Sequence, residues 1–176
     1  PDVPYSLTAV FSLSYLTTTL GVSRTLSLVA LSIAGACNAI AIPLFGGLSD
    51  RYGRRFIYGT GVAAGLLWIL ALFPMLETRA ALIIVAAMAT GLIVHACMYG
   101  PQAAFIAEQF PARVRYAGSS LAYTLAGVVG GGIAPLMFAA LLKFSGSYWS
   151  VVLYTALALL ITGSILWFSR REAGKE

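Results

Sequence analysis

The sequence contains a single histidine, His95, and it lies within a long apolar stretch. An imidazole is the side chain that gains or loses a proton near neutral pH. Gly91, Tyr99 and Gln102 flank it at intervals of three and four, which places all four residues on one face of an α-helix. Three roles stay open for His95: a structural hydrogen bond to a neighbouring helix, contact with a ligand and, ranked last, relay of a proton.

A second stripe of polar side chains lies near the start of the chain. Its members also recur at intervals of three and four, and they are Tyr5, Thr8, Ser12, Tyr15 and Thr19. A polar stripe within lipid must face protein or water, so the two stripes predict a polar cavity for substrate. Asn38 and Tyr123 are second-rank candidates for the same cavity.

Charged residues fall between the apolar stretches. No Asp, Glu, Lys or Arg lies near the middle of a predicted span, where an unpaired charge costs at least about 2.5–3.5 kcal/mol. One histidine without a buried acid does not supply the catalytic constellation of an intramembrane enzyme. We therefore predict no enzyme activity, no catalytic residue, no metal site and no cofactor.

The composition shows which elements must position these stripes. The 176 residues are 60% hydrophobic and only 10% charged, whereas soluble domains average about 45–50% apolar and about 25% charged. Such a chain cannot cover itself with polar surface, so its apolar excess must face a lipid bilayer. This excludes a cytosolic enzyme and argues against nucleic-acid binding. We predict an all-α bundle of six membrane-spanning helices, at residues 4–20, 26–48, 56–76, 80–107, 117–142 and 148–168.

Basic residues are divided unevenly between the two ends of these helices. Three lie on one side, Arg24, Arg79 and Lys143, and eight on the other: Arg51, Arg54, Arg55, Arg113, Arg115, Arg170, Arg171 and Lys175. Because positive residues concentrate on the cytoplasmic side, the loops at 49–55 and 108–116 and the C-terminus are predicted to be cytoplasmic.

The loop after the second predicted span joins a tight turn to a cluster of charges. It reads Gly46-Gly47-Leu48-Ser49-Asp50-Arg51-Tyr52-Gly53-Arg54-Arg55. Gly53 supplies the backbone freedom that the turn needs. Asp50 opposes the dipole at a helix C-terminus at a cost of about 0.3–1 kcal/mol, so we expect it to have a partner. The candidates are Arg51 or Arg54, or the free amides near Gly118; a plain positive-inside hairpin is the alternative interpretation.

This loop resembles the signature loop of the major facilitator superfamily, the twelve-helix secondary transporters. The stretch from Glu108 to Ser120, followed by Gly130-Gly131-Gly132-Ile133-Ala134-Pro135, is most similar to the metabolite:proton symporters. Members of that subgroup carry shikimate, 2-oxoglutarate, citrate, or proline and betaine.

The resemblance implies that the chain is a fragment containing helices seven to twelve, the C-terminal half, without the N-terminal half. It implies proton-coupled symport of a small carboxylate or zwitterion by alternating access, in a bacterial inner membrane. The first and fourth spans would line the cavity, the second and fifth would meet the other half, and the third and sixth would face lipid. The coupling carboxylate is then expected in the missing half.

The resemblance also assigns a gating role to the signature loop, which would latch the cytoplasmic ends of the two halves. Asp50 would pair at this latch, Arg54 and Arg55 would hold the partner helix end, and Glu108 would pair with Arg51 or Arg113. Structural pairing without gating is the alternative. The latch candidates are Gly46, Asp50, Arg51, Gly53, Arg54, Arg55, Glu108, Arg113 and Arg115.

Small residues concentrate on the fifth predicted span. Gly127 and Gly131 have the GxxxG spacing that lets helix backbones approach closely, and Gly130 lies beside them. Pro135 is expected to break or kink the helix and so to serve as a bending element. Static packing is the alternative.

Two other functions stay open. One is a different major facilitator, such as a sugar uniporter or a drug exporter. The other is a six-helix membrane subunit that does not transport.

Overall fold

The computed structural model describes residues 1–168, and nearly all of them are helical. Six helices follow one another: α1 in four consecutive segments (Asp2–Ser6, Leu7–Phe11, Ser12–Ser14 and Tyr15–Thr19), α2 (Arg24–Tyr52), α3 (Arg54–Glu77), α4 (Ala81–Glu108), α5 (Arg115–Ser145) and α6 (Trp149–Phe168). Helices α2 to α6 are long and apolar enough to cross a membrane. The prediction of an all-α bundle is confirmed, although α2, α3, α4 and α5 extend beyond their apolar stretches into the charged residues that flank them.

Local signals fix where the helices begin and end. Helix α2 begins where the Ser23 hydroxyl accepts a hydrogen bond of 3.3 Å from the Leu26 amide, a typical N-cap. Only Gly53 separates α2 from α3, and its φ of +96° lies in a region that side chains disfavour. The predicted need for glycine at this turn is therefore confirmed.

Helix α4 is the centre of the bundle. In its apolar window 56% of residues are buried, and it packs against α2, α3 and α1. Helix α3 is half-buried between α4 and α6, so it is more enclosed than a helix facing lipid along its whole length. In α2 and α5 only 17% of the corresponding residues are buried. These two helices therefore leave broad faces uncovered by the described part of the chain.

Glycines permit the closest contact between α2 and α4. A Cβ added to Gly100 would stand 2.8 Å from the backbone nitrogen of Gly46 and 2.8 Å from the carbonyl oxygen of Ile42. Gly46, a latch candidate, is thus a packing residue within this bundle. Gly100 was missed because it lies outside any GxxxG pair on its own helix.

In helix α5 part of the glycine run faces outward, and the helix continues past Pro135. Gly127 and Gly131 have open space where a Cβ would stand, so their GxxxG spacing makes no contact among the described residues, because their face of α5 is uncovered. Gly130 instead touches Asp2 of α1. Pro135 does not break the helix: a wide π-helical turn over Val128–Ile133 precedes it and accommodates the missing amide hydrogen.

Candidate functional site

Four of the predicted cavity residues, His95 included, come together from three different helices. The Nδ1 atom of His95 lies 3.1 Å from the Oδ1 atom of Asn38. The ring of Tyr5 lies 4.9 Å from the imidazole and that of Tyr99 lies 5.1 Å from it, measured between ring centroids. With Ile42 and Asp2, these residues line a cavity of about 330 Å³, here called the central cavity.

The central cavity lies halfway along the helices that form it. His95 and Asn38 each stand 14 residues after the start of their helix, at Ala81 and Arg24 respectively. At 1.5 Å per residue, this distance is about 21 Å. Helices of 28 and 29 residues exceed the hydrocarbon thickness of about 30 Å. The cavity is therefore at mid-depth in any bilayer that these helices cross.

The contact with Asn38 determines how the imidazole is protonated. An amide oxygen can only accept, so the Nδ1–H of His95 donates to Asn38. In the neutral ring Nε2 then carries the lone pair, and it has no hydrogen-bond partner among residues 1–168. The imidazole is thus held in position at one nitrogen, and the other nitrogen can accept a hydrogen bond.

Asp2 is the cavity residue that sequence reasoning missed. The Ser6 hydroxyl donates a hydrogen bond of 2.6 Å to the carbonyl oxygen of Gly130, and a Cβ on Gly130 would overlap Asp2. Because Gly130 is near the middle of α5, this contact places the Asp2 carboxylate at mid-depth. Among the described residues no acidic residue lies near the middle of a helix, as the sequence predicted, because Asp2 begins α1 and reaches this level only through the packing of α1 on α5. A signal was present, since Asp2 precedes Tyr5 by three residues and so extends the first polar stripe.

The rest of the α1 stripe does not reach the cavity. The hydroxyls of Thr8 and Ser12 are buried and donate to the carbonyls of Pro4 and Leu7, both at 2.9 Å. Ser12 bonds five residues back because α1 contains two π-helical segments, and each rotates the following side chains away from the α-helical stripe.

Tyr15 and Thr19 also lie away from the central cavity. Tyr15 is buried, packs edge-on against Phe73 with ring centroids 5.3 Å apart, and donates its hydroxyl to Glu77 Oε1 at 3.5 Å. Thr19 is exposed at the end of α1. Ser12, Tyr15 and Thr19 therefore belong to the core or to the helix end, and not to the central cavity.

The remaining cavity candidates do not line the central cavity. Tyr123 on α5 is partly buried. Gln102 is buried, and its Oε1 atom lacks a hydrogen-bond partner among the described residues. Gly91 is a packing residue: a Cβ there would overlap the indole of Trp68.

At the other end of the bundle, Arg54 joins two acidic residues into a charge cluster. Its guanidinium forms an ion pair of 3.2 Å with Asp50 at the end of α2 and a second with Glu108 at the end of α4. Arg54 is therefore the partner of Asp50, and the amides near Gly118 are not. The expected pairing of Glu108 with Arg51 or Arg113 is wrong, because the first turn of α3 places Arg54 between the ends of α2 and α4.

The other arginines of this end make different contacts. The guanidinium of Arg51 lies 5.6 Å from the ring centroid of Tyr52, and that of Arg55 lies 5.8 Å from that of Phe105. The Nε–H of Arg115 donates to the carbonyl of Phe110 at 3.3 Å, while Arg113 is exposed. Neither Arg113 nor Arg115 joins the charge cluster.

A larger groove of about 1100 Å³ lies between α3 and α6. Its walls are mostly apolar, and the charge cluster forms one end of it. Within residues 1–168, no group of three His, Cys, Asp or Glu side chains could hold a metal ion.

Comparisons with known proteins agree with this architecture. Residues 5–176 match the family described as Major Facilitator Superfamily. The chain is 36% identical over 160 residues to the shikimate transporter of Escherichia coli K12, covering 90% of this chain and 36% of that protein. It is 32% identical over 168 residues to the inner membrane metabolite transport protein YhjE of the same organism, covering 90% of this chain and 37% of that protein.

A third relative is the citrate-proton symporter of Salmonella typhi, 30% identical over 141 residues, covering 78% of this chain and 32% of that protein. The chain thus spans about a third of the length of the curated relatives it matches. No solved structure matches it significantly. The family match covers nearly the whole chain, and five helices are long enough to cross a bilayer. This integral membrane chain therefore belongs to the major facilitator superfamily.

Proposed function

We propose that this chain is the C-terminal half of a twelve-helix transporter that carries a small organic metabolite across a bacterial inner membrane. The observation that carries the proposal is the central cavity, a polar space at mid-depth built from three helices of a major facilitator bundle. The uncovered faces of α2 and α5 provide the surface on which an N-terminal half would pack. Alternating access then moves the cavity's contents from one side to the other.

The substrate class follows from what the cavity offers. Tyr5, Tyr99 and the amide of Asn38 supply neutral hydrogen-bond donors, and His95 adds one that can become cationic. Such groups suit a carboxylate, and the acid Asp2 suits a positive group on the same molecule. A small carboxylate or zwitterion, carried together with a proton, fits this set; Tyr123 and Gln102 serve as outlying contacts.

The proposal also includes the orientation of the bundle in the membrane, that is, which of its ends faces the cytoplasm. The excess of basic residues around Arg54 supports a cytoplasmic location for the charge cluster, where we propose that it latches the two halves in the outward-open state. Of the basic residues that support this sidedness, Arg170, Arg171 and Lys175 lie outside the described residues.

Transport is tested with the full transporter in proteoliposomes that carry an inward proton gradient. Radiolabelled shikimate, citrate and proline are the probes. We expect at least one to accumulate above its external concentration, and a protonophore to abolish that accumulation. Failure of all three to enter would contradict the proposed substrate class, and accumulation that survives the protonophore would contradict proton coupling.

The cavity itself is tested by Asn38→Ala in the same assay. Removing the amide takes away a hydrogen-bond donor to the substrate carboxylate, worth about 1.5–3 kcal/mol, so we expect the half-saturating concentration to rise by about tenfold or more. Cys37→Ala is the matched control, since Cys37 neighbours Asn38 but does not line the cavity. Equal effects of the two substitutions would show that the cavity does not hold substrate.

A further inference from the structure

The groove of about 1100 Å³ between α3 and α6, here called the lateral groove, has the form of a site for a hydrocarbon chain. Its walls are apolar side chains of both helices, among them Val62, Leu66, Leu159 and Leu160. A glycine leaves room between the walls, since nothing lies within 4 Å of the position that a Cβ on Gly59 would take. An acyl chain that follows this groove gains close contacts on both sides.

The length of the lateral groove matches one leaflet of a bilayer. On α3 the groove extends from Arg55 to Leu66, 11 positions later. At 1.5 Å per residue this is about 16 Å, and half the hydrocarbon thickness of a bilayer is about 15 Å. The groove therefore begins at the charged end of the bundle and reaches the level of the bilayer midplane, which is the depth that one acyl chain spans.

Aromatic side chains mark the charged end of the groove as the level of lipid headgroups. Phe56 follows Arg55 at the start of α3, and Trp167 precedes the last described residue of α6. Both line the groove, and each is 63% exposed. Tryptophan is enriched where the hydrocarbon meets the headgroups. A phosphate bound beside these residues is at the depth where a phospholipid carries it.

Arg55 provides a positive charge at this level. Among the described residues it forms no ion pair, whereas Arg54 pairs with both Asp50 and Glu108. The guanidinium of Arg55 lies 5.8 Å from the ring centroid of Phe105, and its N–H groups have no acceptor in the described part of the chain. A guanidinium binds phosphate through two parallel hydrogen bonds, so Arg55 is suited to a phosphodiester.

The charges around the groove favour a negative headgroup. The turn between α2 and α3 carries three arginines, since Arg51 precedes Arg54 and Arg55. Two acids face them, Asp50 and Glu108, and both use the guanidinium of Arg54. The excess positive charge therefore lies on the arginines that Arg54 leaves without an acid.

From these observations we infer that the lateral groove binds one anionic phospholipid, with an acyl chain between α3 and α6 and the phosphate on Arg55. The site is separate from the central cavity and formed by different residues. The inference requires that the chain spans a bilayer, but it does not depend on which substrate the transporter carries.

The first test measures lipid binding by the purified full transporter after its own lipids have been removed. Palmitoyl-oleoyl phosphatidylglycerol is the anionic probe, and phosphatidylcholine with the same chains is the zwitterionic one. Native mass spectrometry counts the lipids bound per transporter as each lipid is added. We expect one molecule of phosphatidylglycerol to bind about tenfold more tightly than phosphatidylcholine, the factor expected for one charge-assisted contact.

Substitution of the arginine locates the headgroup. Arg55→Gln should weaken the binding of phosphatidylglycerol by about tenfold, because the amide lacks both the charge and the fork of the guanidinium. Arg113→Gln is the matched control, since Arg113 is exposed and does not line the groove. It should bind the lipid as wild type does.

A second pair of variants locates the acyl chain. Ala63 is exposed and lines the lateral groove, so Ala63→Leu takes up space that the chain would fill. Leucine is nearly as good a helix former as alanine, and α3 should therefore fold normally. We expect the binding of phosphatidylglycerol to weaken by about tenfold. Ala64→Leu, at the next position, is exposed but lies outside the groove and should leave the binding unchanged.

Several outcomes would overturn the inference. Equal affinities for the two lipids would show that the headgroup charge is not recognised, and unchanged binding in Arg55→Gln or Ala63→Leu would place the lipid elsewhere. Binding that appears only after residues 169–176 are deleted would show that this segment, and not a lipid, occupies the groove. None of these measurements involves transport. Failure of shikimate, citrate and proline to enter proteoliposomes would therefore contradict the proposed substrate class without affecting this result.

Discussion

Replacing Arg54 with glutamine should slow transport by about tenfold while leaving the affinity for substrate nearly unchanged. Arg54 is the cation that joins Asp50 at the end of α2 to Glu108 at the end of α4. Without it, two carboxylates are left side by side at the end of the bundle where the proposed latch closes. The rate of gradient-driven uptake measures the effect on gating, and equilibrium binding of the transported probe measures the affinity.

The thermal stability of the same variant distinguishes gating from unfolding. All three side chains of the charge cluster are partly exposed, and exposed ion pairs contribute only about 0–1 kcal/mol to stability. The unfolding temperature should therefore hardly change. Arg54→Lys is the matched control, because a lysine keeps the charge but lacks the fork that reaches two carboxylates at once. It should slow uptake less than glutamine does; unchanged uptake in Arg54→Gln would reduce the cluster to a structural contact.

Replacing Gly91 with alanine should markedly lower the stability of this bundle. An added Cβ would overlap the indole of Trp68 and stand 3.0 Å from the hydroxyl oxygen of Thr8. The indole cannot yield easily, since it is buried and its Nε1–H donates to the carbonyl of Ala87 at 3.1 Å. Overpacking of this kind typically costs about 1–3 kcal/mol. The measurement is the unfolding temperature of the purified full transporter in detergent.

Two further variants show whether the Gly91 effect comes from this overlap. Gly59→Ala is the control, because nothing lies within 4 Å of the added Cβ and alanine is the better helix former by about 0.8–1.0 kcal/mol. It should be neutral or stabilising. Trp68→Phe in the Gly91→Ala background gives the new methyl group more room and should recover part of the loss. A fully additive double variant would mean that the two residues do not compete for space.

The helical architecture could be predicted from sequence because it depends on properties averaged over many residues, such as apolar content and charge content. The low charge content required helices in lipid, and the positions of charges and glycines separated one helix from the next. The turn at Gly53 could be predicted because glycine is the residue type that readily adopts a positive φ. Even the clustering of Tyr5, Asn38, His95 and Tyr99 was implied, since each lies on a polar face that must turn toward protein.

The contents of the cavity were harder to predict because depth is not a property of sequence position. Asp2 precedes the first apolar stretch and so is typical of a helix end, yet its helix packs with that end beside the middle of α5. Only the contact with Gly130 reveals this offset. The same limit applies to Ser12 and Tyr15, whose stripe assumed α-helical spacing that the π-helical segments of α1 do not keep.

The ion-pair partners of residues in the loops were also difficult to predict. Glu108 was expected to pair with Arg51 or Arg113, which are prominent in the two loops of that side. The observed partner, Arg54, begins a helix instead, and the packing of α3 on α4 brings it within reach. Spacing along the chain carries no information about which of several arginines such packing selects.

The single residue between α2 and α3 has a mechanical consequence. Two peptide steps separate Tyr52 from Arg54, so their Cα atoms stay within about 7 Å of each other whatever the helices do. A tilt of α2 therefore displaces the start of α3 directly. Six residues, 109–114, join α4 to α5, and a connection of that length lets the distance between the two helix ends change. Force applied at the end of the bundle that carries the charge cluster should thus move α2 and α3 together, while α5 moves with greater independence.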